Sequence, residues 1–492
     1  MNFKVLISAI LASLIAVVGC SSDSDGGAAG SGGDAGSGGS AGDAGSGGSG
    51  GAPSVPKGCA DIPDTSSYIV PNAPPTATDD CDITLNPTGT NDHAQIIDAL
   101  VDNDLTNKSL CLGVGTWDMG GTIGITDDPG LTLKGIGPSP DDVVLEYADE
   151  NGDCRGAKGI SVGVDNVTIE NMWVRNTCEN AVEQRDTDGS VMRKVRVSWD
   201  GDPETGEPIT ANGAYGIYPT DCQNTLVEYC QVQGASDAGI YIGKCTGGLV
   251  QNNIVYENVA GLEVENCVGV DASNNSAFDN VGGLFALQQT ISGDMQDNAD
   301  IRVFDNESYC NNHENFAKEG SAVAGIPVGT GILSFAGDGV EIFGNQITDN
   351  QSLGIGLASN VLNCQINGDD CPDSEGNYPP GYNPYVKNNY VHDNAFTNNG
   401  TDPQGDFGDL FKILGFGVPG TPVPEVVWDG YKEAPDADSG NCLGTDAAAA
   451  ASILVIGDAC QDLTLDLPGY IGCALANNST DQTPYLCEPP PE

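Results

Sequence analysis

A recurrence of about twenty-two residues through the middle of the chain restricts its fold more than any other feature. Gly216, Gly239, Gly261 and Gly283, each followed by an aliphatic residue (Ile217, Ile240, Leu262, Leu284), are spaced by 23, 22 and 22 residues, and Gly331 and Gly354 recur at 23. Asparagine pairs five residues apart travel with them: Asn253 with Asn258, Asn275 with Asn280, Asn306 with Asn311 and Asn345 with Asn350. Asn171 with Asn176 and Asn389 with Asn394 read as the same pair. Short alternating runs such as Val167-Thr168-Ile169 and Val340-Glu341-Ile342 lie between Gly, Asn and Asp residues. Alternation predicts strands, and the separators predict turns. These units contain no ten-residue helical pattern, which argues against leucine-rich and ankyrin arrays. An all-β solenoid of three short strands and three turns per coil satisfies the pattern. Its coils would stack about 4.8 Å apart through parallel ladders, as a parallel β-helix.

This architecture gives the repeated residues physical roles. Asparagine tolerates left-handed backbone angles at turns, and stacked amides can bond from coil to coil. Cys222, Cys245 and Cys267 each lie six residues beyond a repeat glycine and so share a column. Adjacent coils are close enough for a disulfide. One pair that includes Cys245 is expected, with the third cysteine bonded elsewhere, and Cys364 with Cys371 should pin a loop. The open end of a solenoid needs a cover. Ala94, Ile97, Leu100 and Val101 fall at helical spacing behind an Asn or Asp cap, so Asn91 to Asn103 predicts an N-terminal capping helix. Residues 58–435 form the β-helix domain in this reading, and residues 436–492, which hold four cysteines and lose the repeat, form a disulfide-rich C-terminal cap.

The chain begins with an export pattern. Residues 1–19 carry a short polar start and an apolar run from Val5 to Val18, too short for a comfortable membrane span. Val17-Val18-Gly19-Cys20 resembles a bacterial lipobox, which implies lipidation at Cys20, and Ser21 implies sorting to the outer membrane. Residues 20–57 are almost wholly Gly, Ser, Ala and Asp and read as a flexible tether. Without Cys20, 16 of the 17 cysteines remain, an even number that suits an oxidising compartment. Three histidines and no CxxC spacing argue against zinc or copper sites. The net charge of −53 excludes nucleic acid as a partner and favours divalent cations, calcium above all, if a cofactor is used. The membrane is reached through the lipid alone, and the protein is expected to be a monomer.

Leu112-Gly113-Val114-Gly115-Thr116-Trp117 resembles the first coil of pectin-lyase-like right-handed β-helices. Gly159-Ile160-Ser161-Val162, Asn212 to Pro219 and Ala235 to Tyr241 are similar to a group of exported bacterial parallel β-helix repeat proteins, and Val328-Gly329-Thr330-Gly331 and Val427-Trp428-Asp429-Gly430 extend that likeness. The resemblance covers most of residues 90 to 435. It implies the right-handed fold and a tie to polysaccharide, and it brings no reaction with it.

Candidate site residues follow from the repeat. Position +1 from the glycine is apolar and should face inward, so position +2 faces outward and holds Tyr218, Tyr241, Glu263 and Phe285. Position +4 adds Thr220 and Glu265, and Asp237 opens one coil. Aromatic faces stack on sugar rings, and carboxylates accept hydroxyl hydrogen bonds or hold calcium. As an enzyme, the protein would be a lyase, epimerase or glycosidase. Tyr218 or Tyr241 would then act as proton donor, or the carboxylates Asp237, Glu263 and Glu265 would supply an acid and a base. The alternative is a non-catalytic surface lipoprotein that binds glycan or protein along this face. The column shows no Arg or Lys cluster, and His313 and Lys318 lie in an insertion between Gly283 and Gly331 that could fold over the groove.

Overall fold

The computed structural model describes residues 57–77, 80–289, 298–367, 371–373, 377–434, 437–444, 452–456 and 467–487. The leader, Cys20 and nearly all of the tether lie outside them. The described chain coils into a right-handed parallel β-helix. One sheet stacks 11 strands, from Ile123–Ile125 through Tyr215–Thr220, Ala238–Gly243, Ala260–Glu265 and Gly282–Leu287 to Ile453–Val455. The other 21 strands form two ladders that share the long strands Thr168–Arg175 and Val191–Ser198. Strand pairing continues beyond residue 435: Cys442–Gly444 stacks on Tyr390–His392, and Leu486–Cys487 stacks on Cys442–Gly444.

The inward column of the 11-stranded sheet keeps the repeat register. Ile217, Ile240, Leu262, Leu284, Ile332, Ile355, Val426 and Ile453 sit one above another and are all buried. Each such side chain contributes about 1.5–3 kcal/mol by leaving water. The repeat glycines are required by close backbone approach. A Cβ on Gly261 would lie 2.5 Å from the Gly283 carbonyl oxygen, and one on Gly239 would lie 2.8 Å from that of Gly261.

The corners form ladders. Asn253, Asn275, Asn306, Asn345 and Asn394 pass amide bonds of 2.9–3.0 Å from coil to coil. Asn258, Asn280, Asn311, Asn350 and Asn399 do the same at the next corner, at 2.9–3.1 Å. The left-handed angle falls on the residue before the ladder asparagine: Asn252, Asn274 and Asp305 at one corner, Glu257, Asp279 and Cys310 at the other. Asn394 therefore belongs with Asn399, while Asn389 bonds Asn441 in a separate pair. Asn171 caps the Gly135 and Gly137 carbonyls, and Asn176 bonds Glu146 and Asp200, so that pair is outside both ladders.

The third corner uses cysteine. Asp221, Lys244 and Asn266 take the left-handed angle before Cys222, Cys245 and Cys267. Cys222 pairs with Cys245, and Cys364 pairs with Cys371. Cys267 is free, contrary to expectation. Its sulfur accepts the Cys245 N–H at 3.2 Å and lies 3.3 Å from the Ile242 carbonyl, the role an asparagine amide plays elsewhere. Cys230, the other free thiol among the described residues, heads the first asparagine ladder and takes the Asn253 side-chain oxygen on its N–H at 2.8 Å.

The capping helix spans Asp92–Asp102. Its buried residues are Asp92, Ile96 and Ala99, one position round from the expected face, so Val101 is 76% exposed. Asn91 makes no side-chain cap. Asp92 instead accepts the Thr88, Gly89 and Asp118 N–H groups at 2.7, 3.1 and 3.1 Å. Among the described residues no helix is long and apolar enough to cross a membrane.

Candidate functional site

The outward column of the 11-stranded sheet changes character along the axis. From Glu183 it runs through Tyr218, Tyr241, Glu263, Phe285, Leu333, Gly356 and Val427. Strand alternation puts these side chains outside the coil, as their +2 position requires. The tyrosines stack: Tyr218 lies 4.8 Å from Tyr241 and 4.4 Å from Tyr215, whose ring the repeat did not mark.

The open groove expected here is largely covered. Tyr241, Glu263, Glu265 and Phe285 are 6%, 2%, 6% and 1% exposed. Rings lie flat where glycine leaves room: Tyr241 rests over Gly243, and Phe285 folds back over Gly282. Tyr215, Tyr218 and Asp237 are the part-exposed members, so they form the accessible edge of the cluster.

The carboxylates interact through low-dielectric surroundings. Burial pushes the Asp237 carboxyl up to about 6, against the Tyr215 hydroxyl, which donates to it at 3.2 Å. Burial, together with the charges of Asp237 and Glu265, holds Glu263 well above the ordinary glutamate value. Both carboxyls therefore hold a proton more tightly than a solvated side chain does. Glu263 Oε1 is buried and has no hydrogen-bond partner. Burial also raises Tyr218, although the Arg185 guanidinium beside it opposes that shift.

Arg185 is a site residue that the repeat did not reveal. Its strand, Val182–Arg185, pairs with Tyr215–Thr220 so that Arg185 stands beside Thr220. It is paired to Asp221 at 3.1 Å, and Lys158 bonds Glu183 at 2.5 Å. The alternation Val182-Glu183-Gln184-Arg185 was the available signal, but Ala181 replaces the repeat glycine there.

Beyond Glu263 the column opens into a cavity of about 390 Å³. Phe285, Leu333 and Phe335 form its floor. The segment from Gly320 to Pro327 makes one wall, where Val323 packs on Val259 and Val281. Leu362 and the helix Gly405–Ile413, through Phe407 and Phe411, supply another. Glu263 and Asp429 are its two carboxyl groups. Burial lifts Asp429 to about 6, against hydrogen bonds from Ser359 and the Tyr431 N–H.

The other candidates lie apart. His313 is held between Asp279 and Glu207, each at 3.6 Å, and Lys244 occupies a left-handed corner position. His392 stacks on Phe343 and Tyr390, and His93 bonds the Thr122 carbonyl. Among the described residues no group of three or more His, Cys, Asp or Glu side chains is arranged to hold a metal ion.

The stacked coils define a right-handed parallel β-helix protein with a tyrosine–carboxylate patch on one sheet. Residues 150–298 match the family described as right handed beta helix region. Comparison with curated protein sequences finds no significant match. Among solved structures, the A-module of the Azotobacter vinelandii mannuronan C-5 epimerase AlgE4 is 14% identical, with a TM-score of 0.45 over 72% of this chain and 88% of that one. A GH87 α-1,3-glucanase catalytic unit from Streptomyces thermodiastaticus is 14% identical, with a TM-score of 0.41 over 76% and 54%. An alginate lyase from Paenibacillus is 12% identical, with a TM-score of 0.31 over 64% and 94%.

Proposed function

We propose that the protein acts on polysaccharide as a glycosidase-type β-helix, with neutral sugars seated on the part-exposed Tyr215 and Tyr218. The observation that carries this reading is the placement of two carboxyls beside the tyrosine stack, Asp237 bonded to Tyr215 and Glu263 one coil beyond Tyr241. Glu263, whose burial favours its protonated form, would donate to a glycosidic oxygen, while Asp237, on the accessible edge, would take a proton from the water that attacks the anomeric carbon. The charge balance favours a neutral chain over a uronate. Glu183, Asp221, Asp237, Glu263 and Glu265 surround the patch, and the nearby Lys158 and Arg185 are already paired with carboxylates. The 2% exposure of Glu263 favours one other reading, a surface that binds glycan without turnover.

Export, a lipid at Cys20 and an outer-membrane location complete the proposal, on the sequence pattern of residues 1–57. The disulfides among the described residues, Cys59–Cys310 and Cys442–Cys487 included, suit an oxidising compartment. Calorimetric titration with neutral and uronic oligosaccharides tests the substrate class. Neutral chains should bind and lose at least tenfold in affinity with Tyr218→Ala. Binding of uronates alone would overturn the neutral-glycan reading.

A further inference from the structure

The tyrosine patch and the apolar cavity are parts of one surface. Tyr215, Tyr218 and Tyr241 pack in a single outside cluster with Phe285, Leu287, Leu333 and Phe335. A sugar over Tyr218 would place whatever is linked to it about 10–15 Å further along the axis, over Glu263 and Phe285 at the mouth of the cavity, given roughly 4.8 Å per coil. Glu263 stands at the junction, lining the cavity with an oxygen that has no partner. A buried acceptor of this kind stays costly until a ligand donor reaches it.

We propose that the ligand is an amphiphilic glycoside, its sugar on the tyrosines, its apolar aglycone in the 390 Å³ cavity and a sugar hydroxyl donating to Glu263. The proposal rests on the glycan reading of the tyrosine face. A fatty-acid anion is disfavoured by the carboxylates at the junction. A wholly apolar molecule would leave Glu263 unsatisfied. The cavity lies in the size range that encloses a small ligand, and its walls come from segments outside the repeat, so it is a built feature of this chain.

The test titrates the full-length protein with maltose and with hexyl, octyl and decyl maltoside below their micelle concentrations, and measures uptake of the neutral apolar fluorophore N-phenyl-1-naphthylamine. Affinity should rise by up to about fourfold per buried methylene until the cavity is filled. Ala358→Phe, which fills the cavity, should remove the chain-length dependence and leave maltose binding intact. Decyl maltoside should displace the fluorophore, and Tyr218→Ala should weaken maltose and maltoside alike. Maltose binding with no gain from any alkyl chain in the unmodified protein would overturn the amphiphile proposal and leave the glycan reading standing. Fluorophore and alkyl-chain binding indifferent to the sugar and to Tyr218→Ala would overturn both readings, leaving only an apolar site.

Discussion

The corners and the outward face of the same coils obey different rules. At two corners every coil from Asn253 to Asn394, and from Asn258 to Asn399, uses the same residue for the same bonds. On the outward face successive coils present Tyr218, Tyr241, Glu263, Phe285 and Leu333. Repetition answers a demand that recurs at every coil, the satisfaction of buried turn amides. Variation along the face shows that no such demand sets those residues, and there a site can be placed without loss of the stack.

This contrast can be broken by mutation. Gly261→Val, which drives side-chain atoms into the Gly283 carbonyl, should destabilise by about 3 kcal/mol in denaturant melts. A pH series should separate the two regions next. Buried carboxyls with raised pKa values bind protons more tightly in the folded chain than in the unfolded one. Their contribution is therefore full below about pH 4 and is lost as pH rises through 6. Asp429 alone, moved from 3.8 to about 6, should contribute on the order of 2–3 kcal/mol to that fall. Asp429→Asn and Glu263→Gln should flatten the slope of melting temperature against pH, and Asn275→Ala should leave it unchanged.

Asn275→Ala should itself cost about 1–3 kcal/mol, because it removes the acceptor of the Asn253 backbone and side-chain N–H groups and the donor to the Val250 carbonyl and the Asn306 side-chain oxygen. Cys267→Ala should cost about 1 kcal/mol and Cys267→Asn less, since only the latter keeps a donor and an acceptor in the column. An equal loss from both would refute the ladder role of that thiol. Tyr218→Ala, on the part-exposed edge, should change stability by about 1 kcal/mol or less while weakening sugar binding at least tenfold.

The same contrast explains what could be read from the amino acids alone. The inward column, the repeat glycines, the ladders and the capping helix come from recurrence or periodicity, which a single chain displays. The fate of Cys267 was missed because cysteine spacing suggests pairing, whereas its thiol fills an asparagine's place. Arg185 was missed because 35 residues separate Val182 from Ile217, and no glycine marks the coil. Burial of Glu263 and Phe285 depends on local ring packing over glycines and on segments near residues 320–327 and 405–413, far away in sequence, whose docking no local pattern announces. Tyr215 went unmarked because it precedes the repeat glycine, where the other coils carry Ala238, Ala260 and Gly282.

Product analysis tests the central claim most directly. The purified protein would be incubated with neutral and uronic polysaccharides, with and without calcium, and the products weighed by mass spectrometry. Hydrolysis predicts shortened neutral oligosaccharides, with one water added per bond cleaved, lost in Asp237→Asn and Glu263→Gln. Unsaturated uronate products, or neutral chains still cleaved by both variants, would contradict it.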